Sequence, residues 1–461
     1  MTSKSFLSRY TPSAMAHETL EAILVQRHAL AKELVDQVRE SALTASKHYV
    51  LLVGPRGIGK THLVSLVYHR VKKDAELADR ILVAWLREEE WGITSFLDLL
   101  LRILRSLESE CAASDTAGAC DHLTHLPADQ AELEAERLLR DKVGDKALLI
   151  IAENLDEIFK GLGKGGQEKL RAYIQNNPVF TLLATSRSLF SGVSLRSSAF
   201  YGFFETHHLW EFLLEDAVSL LVKIAEQEED QELAAYIRTP LGRARIRAVH
   251  HLAAGNPRVY VIFSQFLSCA SLKQLVDPLI QTLDDLTPYY QSRMDYLSPQ
   301  QRKIVNFLLD QRGAVPVNDI AQRNLLKHQT ASSQLKKLRD MGYVRATQAG
   351  RESYYELREP LMRISLEVKK YRGEPARLLV DFLRIWYSPR ELTRQLGLLQ
   401  ADAAYERACV AQALQAWEGD SADPRVAACL KDYRVYFDEA EFDRALQVAE
   451  ELIQIRGYPS D

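Results

Sequence analysis

Apolar residues along this chain follow two rhythms. Short unbroken runs, YVLLV (49–53), RILVAWL (80–86), ALLIIA (147–152) and VFTLLATS (179–186), suit strands buried on both faces of a parallel sheet. Between them, THLVSLVYHR (61–70) and SFLDLLLRILRSL (95–107) carry apolar residues at helical three- and four-residue spacing. A fifth strand is expected within FYGFFETHHL (200–209). This alternation predicts a three-layer α/β domain with a parallel sheet.

The rhythm changes after residue 214. LEDAVSLLVKIAEQ and RARIRAVHHLAAG are purely helical in pattern. Residues 298–358 then read as helix, short strand, helix, turn, helix and a two-stranded wing turning at QAGRE, a winged helix-turn-helix. Beyond it the pattern is helical, broken at SPREL, GDSADP and RGYP. The expected division is an N-terminal helical segment (1–47), an α/β core (48–214), an all-α lid (215–290), the winged helix (291–372) and a helical tail (373–461).

Charge matters locally. The formal net charge of the chain is −4, yet between Ser298 and Arg358 eleven Lys or Arg face five Asp or Glu, a local net of +6. A basic patch therefore coincides with the winged helix, where Lys336, Lys337 and Arg339 fall on the third helix and Arg345 and Arg351 on the wing. The five cysteines form no CxxC pair, which argues against a disulfide framework or a cysteine-based zinc site. No apolar run approaches the ~18 residues of a membrane helix and MTSKSFLSRYTPSAMA has no signal core, so a cytoplasmic protein without membrane contact is expected.

The sharpest chemistry lies between the first strand and its helix. Gly54, Gly57, Gly59, Lys60 and Thr61 fill G-x-x-x-x-G-K-[ST], the P-loop pattern, in the strand–turn–helix setting it requires. Such glycines let successive backbone N–H groups curl around phosphate oxygens at a helix N-terminus. Lys60 would neutralise the β/γ phosphates of ATP and Thr61 would hold Mg²⁺, with Arg56 and His62 flanking the nucleotide. A carboxylate is needed beside the metal, and Glu153, first off the strand ALLIIA, is assigned that role. The next position, where a glutamate usually polarises the attacking water, holds Asn154, and an amide is no general base. Asp156 or Glu157 would have to substitute, so slow or partner-dependent hydrolysis is expected. Thr185, Ser186 and Arg187 end another strand, where a γ-phosphate would be sensed.

Taken in order, VQRHAL, GPRGIGKTH, LIIAENLDE, LLATSRS and AAGNPRVY resemble the signal-transduction P-loop ATPases of the STAND class and their AAA+ relatives, the origin-recognition type ATPases, over roughly residues 15–370. The resemblance implies that Arg27 contacts nucleotide, although His28 stands where that family's motif has Glu. It also implies that Arg187 belongs to the first sensor, that Pro257 of Gly255-Asn256-Pro257 packs near base or ribose, and that Arg258 occupies the second-sensor position. Gly255 to Pro257 equally suit a helix C-cap followed by a proline-started helix.

The fold expected is thus an α/β P-loop NTPase followed by an all-α lid, a winged helix-turn-helix and an α-helical, tetratricopeptide-like tail. Only one repeat-like copy is visible, DYRVYFDEAEFDRALQVAEELIQIRGYP, with Tyr436, Phe442, Ala445 and Leu446 at suitable offsets. The chain stops where another repeat would begin, so a shortened form whose tail docks on a partner is expected. The resemblance implies an ATP/ADP-dependent molecular switch in bacterial signalling, transcription control or defence against phage, with a protein trigger at the tail and homo-oligomer formation on activation. The alternative is a DNA-binding AAA+ ATPase of initiator or transposition-regulator type, gripping duplex DNA through TASSQLKKLRD (330–340) with Gln334 near the base edges. A third reading, encouraged by Asn154, is a nucleotide-binding scaffold without turnover.

Overall fold

A computed structural model describes residues 12–448 with interruptions, the longest at 88–91, 111–122, 265–289, 363–376 and 421–431. The chain divides into two compact units, Met1–Trp210 and Glu211–Asp461.

The first unit is built on a five-stranded parallel sheet of β1 (Tyr49–Val53), β2 (Ile81–Leu86), β3 (Ala147–Ala152), β4 (Phe180–Ser186) and β5 (Glu205–His208), in the order β2-β3-β4-β1-β5. Every neighbouring pair is parallel, and Leu51 and Leu52 face Ala184 and Thr185 across β1 and β4. Because side chains alternate along a strand, each strand feeds two separate cores. Val50, Leu52, Val83, Leu149, Ile151 and Leu183 pack with Leu20, Leu34, Leu63 and Val67. These last residues come from α1 (His17–Ala22), α2 (His28–Leu43) and α3 (Lys60–Lys73). Leu51, Ala84, Leu148, Ile150 and Leu182 point the other way, against Leu99, Ile103, Leu139, Ile158 and Phe159. Those residues belong to α4 (Phe96–Glu110), α5 (Ala128–Val143) and α6 (Leu155–Asn176). Two cores separated by one sheet make the three layers. Each fully buried aliphatic side chain contributes about 1.5–3 kcal/mol, so uninterrupted apolar strands are what such a sheet demands. A short helix, α7 (Ser191–Ser194), precedes β5.

The second unit opens with α8 (Leu214–Gln227), α9 (Gln231–Arg238), α10 (Pro240–Ala253) and α11 (Pro257–Phe263). Asp230 caps α9 by accepting from Leu233 N at 2.8 Å. Gly255 adopts a left-handed φ of +73° after α10, and the side chain of Asn256 caps α11, whose first residue is Pro257. The local reading of Gly255 to Pro257 as cap and helix start is therefore observed.

The winged helix comprises α12 (Pro299–Leu309), β6 (Val315–Pro316), α13 (Val317–Arg323), α14 (His328–Asp340), β7 (Val344–Ala349) and β8 (Glu352–Leu357). The strand order is β6-β8-β7, antiparallel throughout. A capping box starts α12, with Ser298 and Gln301 exchanging side-chain-to-backbone bonds. Ile304, Ile320, Leu335, Leu338 and Tyr355 are buried. Three helices follow, α15 (Arg377–Trp386), α16 (Pro389–Leu398) and α17 (Ala404–Asp420). The tetratricopeptide-like pair after residue 431 lies, apart from isolated positions, outside the described residues, as does Arg351. Among the described residues, no helix is long and apolar enough to cross a membrane.

Gly255 is a position in the second unit where both space and backbone conformation demand glycine. A Cβ there would lie 2.6 Å from Glu211 Cβ and 2.7 Å from Phe212 O, on a backbone that L side chains rarely adopt. Gly255→Ala is expected to lower stability by about 1–3 kcal/mol in urea titration, whereas substitution of exposed Gly144, with open space around it, should cost no more than its own left-handed strain.

Candidate functional site

The P-loop runs from β1 into α3 through backbone that only glycine holds without strain. Gly57 and Gly59 have φ of +83° and +100°. A Cβ on Gly59 would come within 2.7 Å of Arg27 Nη1, so the second position is closed by contact as well as by conformation. Gly54 is packed too, its would-be Cβ meeting Leu209 O at 3.0 Å.

Lys60 begins α3 and is 8% exposed. Its Nζ donates to Gly54 O at 2.5 Å and to Pro55 O at 3.1 Å, the partners a buried ammonium requires. Thr61 Oγ1 donates to Glu153 Oε2 at 2.6 Å, across 92 positions of sequence. The other carboxylate oxygen of Glu153 accepts from Trp85 Nε1 at 3.0 Å, and the residue is 4% exposed. A hydroxyl and a carboxylate side by side at the carboxyl ends of parallel strands fit a magnesium ion, and the glycine turn ahead of them fits the phosphates of a nucleoside triphosphate.

Arg27 immediately precedes α2 and is 9% exposed. Its guanidinium spans the P-loop and the exit of β5, with Nη1 donating to Ile58 O at 2.5 Å and Nη2 to Trp210 O at 3.1 Å. The preceding Gln26 has a φ of +64°. His62 turns from the turn itself towards α1, where Nε2–H donates to Leu20 O at 2.9 Å. Burial pushes its imidazole below the usual range, and the carbonyl acceptor requires the proton on Nε2. His62 thus braces the helix behind the P-loop. Arg56 is exposed at the tip of the turn.

Asn154 sits in left-handed backbone with φ +51°, capping α6, and its N–H donates to Thr185 Oγ1 at 3.2 Å. Helix α6 begins at the next residue, which carries Asp156 and Glu157 into its first turn. Glu157 pairs with Arg187 at 3.2 Å, so the expected sensor arginine and one of the two candidate bases hold each other. Asp156 Oδ1 is sealed from solvent without a hydrogen bond. Burial raises its carboxyl above the usual range, and the nearby Arg187 charge and Ser186 hydroxyl offset this only in part. Lys60, Thr61, Glu153, Asn154, Asp156, Arg187 and Arg27 all belong to the first unit, while Pro257 and Arg258 start α11 in the second.

Trp85 was not singled out by the sequence. Its only signal there is an indole one residue from the end of a buried strand, since a buried indole N–H needs an acceptor. Which acceptor became evident only when β2 paired with β3.

On the winged helix, Lys327, His328, Gln329, Ser333, Lys336 and Lys337 are exposed, whereas Gln334 is half-buried. Arg339 pairs with Asp340 at 3.3 Å and Arg345 with Glu356 at 2.5 Å. Arg358 is paired with Glu211. Lys336 and Lys337 therefore offer the least committed charge on α14.

A model of the MarR family matches residues 297–352, the winged helix. The chain is 19% identical over 362 residues to the uncharacterized HTH-type transcriptional regulator MJ0774 of Methanocaldococcus jannaschii, covering 71% of this chain and 85% of that protein. Among solved structures it is similar to the Walker-type ATPase PABY2304 of Pyrococcus abyssi, with a TM-score of 0.53 at 14% identity over 74% of this chain and 96% of the other. It is also similar to the Aeropyrum pernix ORC2 protein in its ADPNP–ADP complexes, with a TM-score of 0.52 at 13% identity over 75% and 95%. These likenesses show the fold, a parallel-sheet α/β P-loop fold with helices and a winged helix after it. None of them singles out the STAND class.

Asp156 supplies a test of the buried environment. It binds its proton more tightly folded than unfolded, so ionisation costs stability as pH rises through the folded value, and the cost vanishes below the ordinary value of 3.8. Asp156→Asn is expected to be more stable than the parent near pH 7, with the gain shrinking towards pH 4 in paired urea titrations. Equal gains at both pH values would contradict a burial-driven shift.

Proposed function

We propose that this protein is an ATP-binding, slowly hydrolysing AAA+ ATPase of the initiator type that binds duplex DNA through its winged helix. One observation carries the reading: a P-loop fold whose Thr61 and Glu153 meet at 2.6 Å shares a chain with a MarR-type winged helix presenting Lys336 and Lys337 to solvent. Two relatives lend support by what they are, an origin-recognition-type protein in nucleotide complexes and an HTH-type transcriptional regulator.

Bound Mg²⁺–ATP would supply the electrophilic phosphorus and the metal that spreads its developing charge. The chain would do the rest. Lys60 would bind the phosphate oxygens in place of the carbonyls of Gly54 and Pro55, and Thr61 and Glu153 would hold the metal. Trp85 keeps Glu153 aimed. Arg27 fixes the turn, and Arg187 senses the γ-phosphate on release from Glu157. Asp156 would orient water in place of a glutamate at position 154, a poor substitution that makes turnover slow.

On DNA, α14 would enter the major groove with its N-terminal residues towards the base edges and Lys336 and Lys337 on phosphates. A second reading, the autoinhibited STAND-like switch, is favoured by the commitment of Arg345 and Arg358 to Glu356 and Glu211, which withholds charge from DNA. That switch would answer to a protein trigger at the tail and assemble into homo-oligomers.

Lys60→Ala is expected to weaken ATP binding at least a hundredfold in equilibrium dialysis, and unchanged affinity would remove the nucleotide from the proposal. The pair Lys336→Ala and Lys337→Ala should lower duplex affinity and flatten its salt dependence by about 1.8 in log–log slope, near 0.9 for each phosphate no longer neutralised. Steady-state ATP turnover with and without duplex decides between the readings: stimulation by DNA favours the initiator type, and indifference favours the switch.

A further inference from the structure

Away from the P-loop, three potential ligands converge where α2 crosses the edge strand β5. Glu33, Glu205 and His207 place one ligand atom each within 4.8 Å of one another. Their positions follow from the two periodicities of the backbone. Glu205 and His207 are two apart on β5 and share a face of the sheet, while Glu33 and Gln37 stand one turn apart on α2.

Polar satisfaction at this crossing is incomplete. His207 Nε2 is sealed from solvent and lies 3.2 Å from Glu205 Oε1 without making a hydrogen bond. Gln37 Nε2 donates to Glu205 Oε2 at 2.9 Å, but Gln37 Oε1 is buried with no partner. Glu33, exposed on α2, makes no hydrogen bond or ion pair among the described residues. A buried imidazole nitrogen that makes no hydrogen bond and a partnerless amide oxygen, beside two carboxylates, are what a cation would satisfy.

We propose that Glu33, Glu205 and His207 form a site for a divalent transition metal of the zinc type. An imidazole nitrogen with two carboxylate oxygens suits Zn²⁺ and its first-row neighbours better than Mg²⁺ or Ca²⁺, which take all-oxygen shells. Bonds of about 2.0–2.2 Å bring ligand atoms to within ~4.4 Å of each other, so a small rotation of the exposed Glu33 closes the set. Gln37 Oε1 or water completes the shell. The ion would rivet α2 to the sheet's edge strand. These are the two elements whose ends Arg27 ties together, since Arg27 precedes α2 and donates to Trp210 just beyond β5. Metal occupancy would thereby stiffen the support of the P-loop. The site does not depend on the nucleotide reading.

The test is zinc titration of the chelator-treated full chain by calorimetry, with Co²⁺ absorption as a second readout of nitrogen and oxygen ligation. One equivalent is expected, weakened at least tenfold by His207→Ala and by Glu33→Gln, and retained by Lys60→Ala. Glu33→Gln changes an exposed helical residue and keeps the test decisive should His207→Ala fold poorly. Zinc binding that is equal in the parent and both variants, or absent from the parent, would overturn the site.

Discussion

The site depends on one constraint of strand order: β4 lies between the P-loop strand and the carboxylate strand. Two strand spacings of about 4.8 Å therefore separate β1 from β3 at the carboxyl edge of the sheet. Thr61 at the start of α3 and Glu153 at the end of β3 reach across that separation to meet. The end of β4, with Thr185, Ser186 and Arg187, lies between the two strands.

Charge is stored there in a form that a polyanion can release. Lys60 and Glu153 are both nearly buried, and each counts neutral dipoles among its partners: carbonyls for the ammonium, a hydroxyl and an indole N–H for the carboxylate. Such partners keep buried ions tolerable without neutralising them. A phosphate oxygen offered to Lys60 would be a charged acceptor in place of a neutral carbonyl, and hydrogen bonds to charged acceptors are the stronger kind.

Much of this was legible in the chain because it is local. Gly54 to Thr61 reveal a P-loop by spacing, and the apolar runs of β1, β3 and β4 reveal strands covered on both faces. The winged helix was visible through its element order and basic bias. What could not be read are contacts between elements whose neighbours the sequence does not name. Trp85 gains meaning only beside β3, the pairing of Arg187 with Glu157 only after α6 has begun, and the approach of Glu33 to His207 only when α2 crosses β5. Arg27 is intermediate, since a resemblance pointed to it but not to the carbonyls of Ile58 and Trp210. The expected P-loop fold and winged helix are present while the STAND refinement did not emerge, because a nucleotide core is shared widely and the parts that distinguish its users lie elsewhere.

Asn154 has an implication for how such a chain changes over generations. Its left-handed backbone suits asparagine, aspartate or glycine and resists longer side chains. Placing a glutamate there is thus opposed by the turn that starts α6, whereas aspartate lies one nucleotide away. A change of Asn154 to an acid would therefore pass through aspartate far more readily than through glutamate, and a longer acid would need the turn itself to be remodelled.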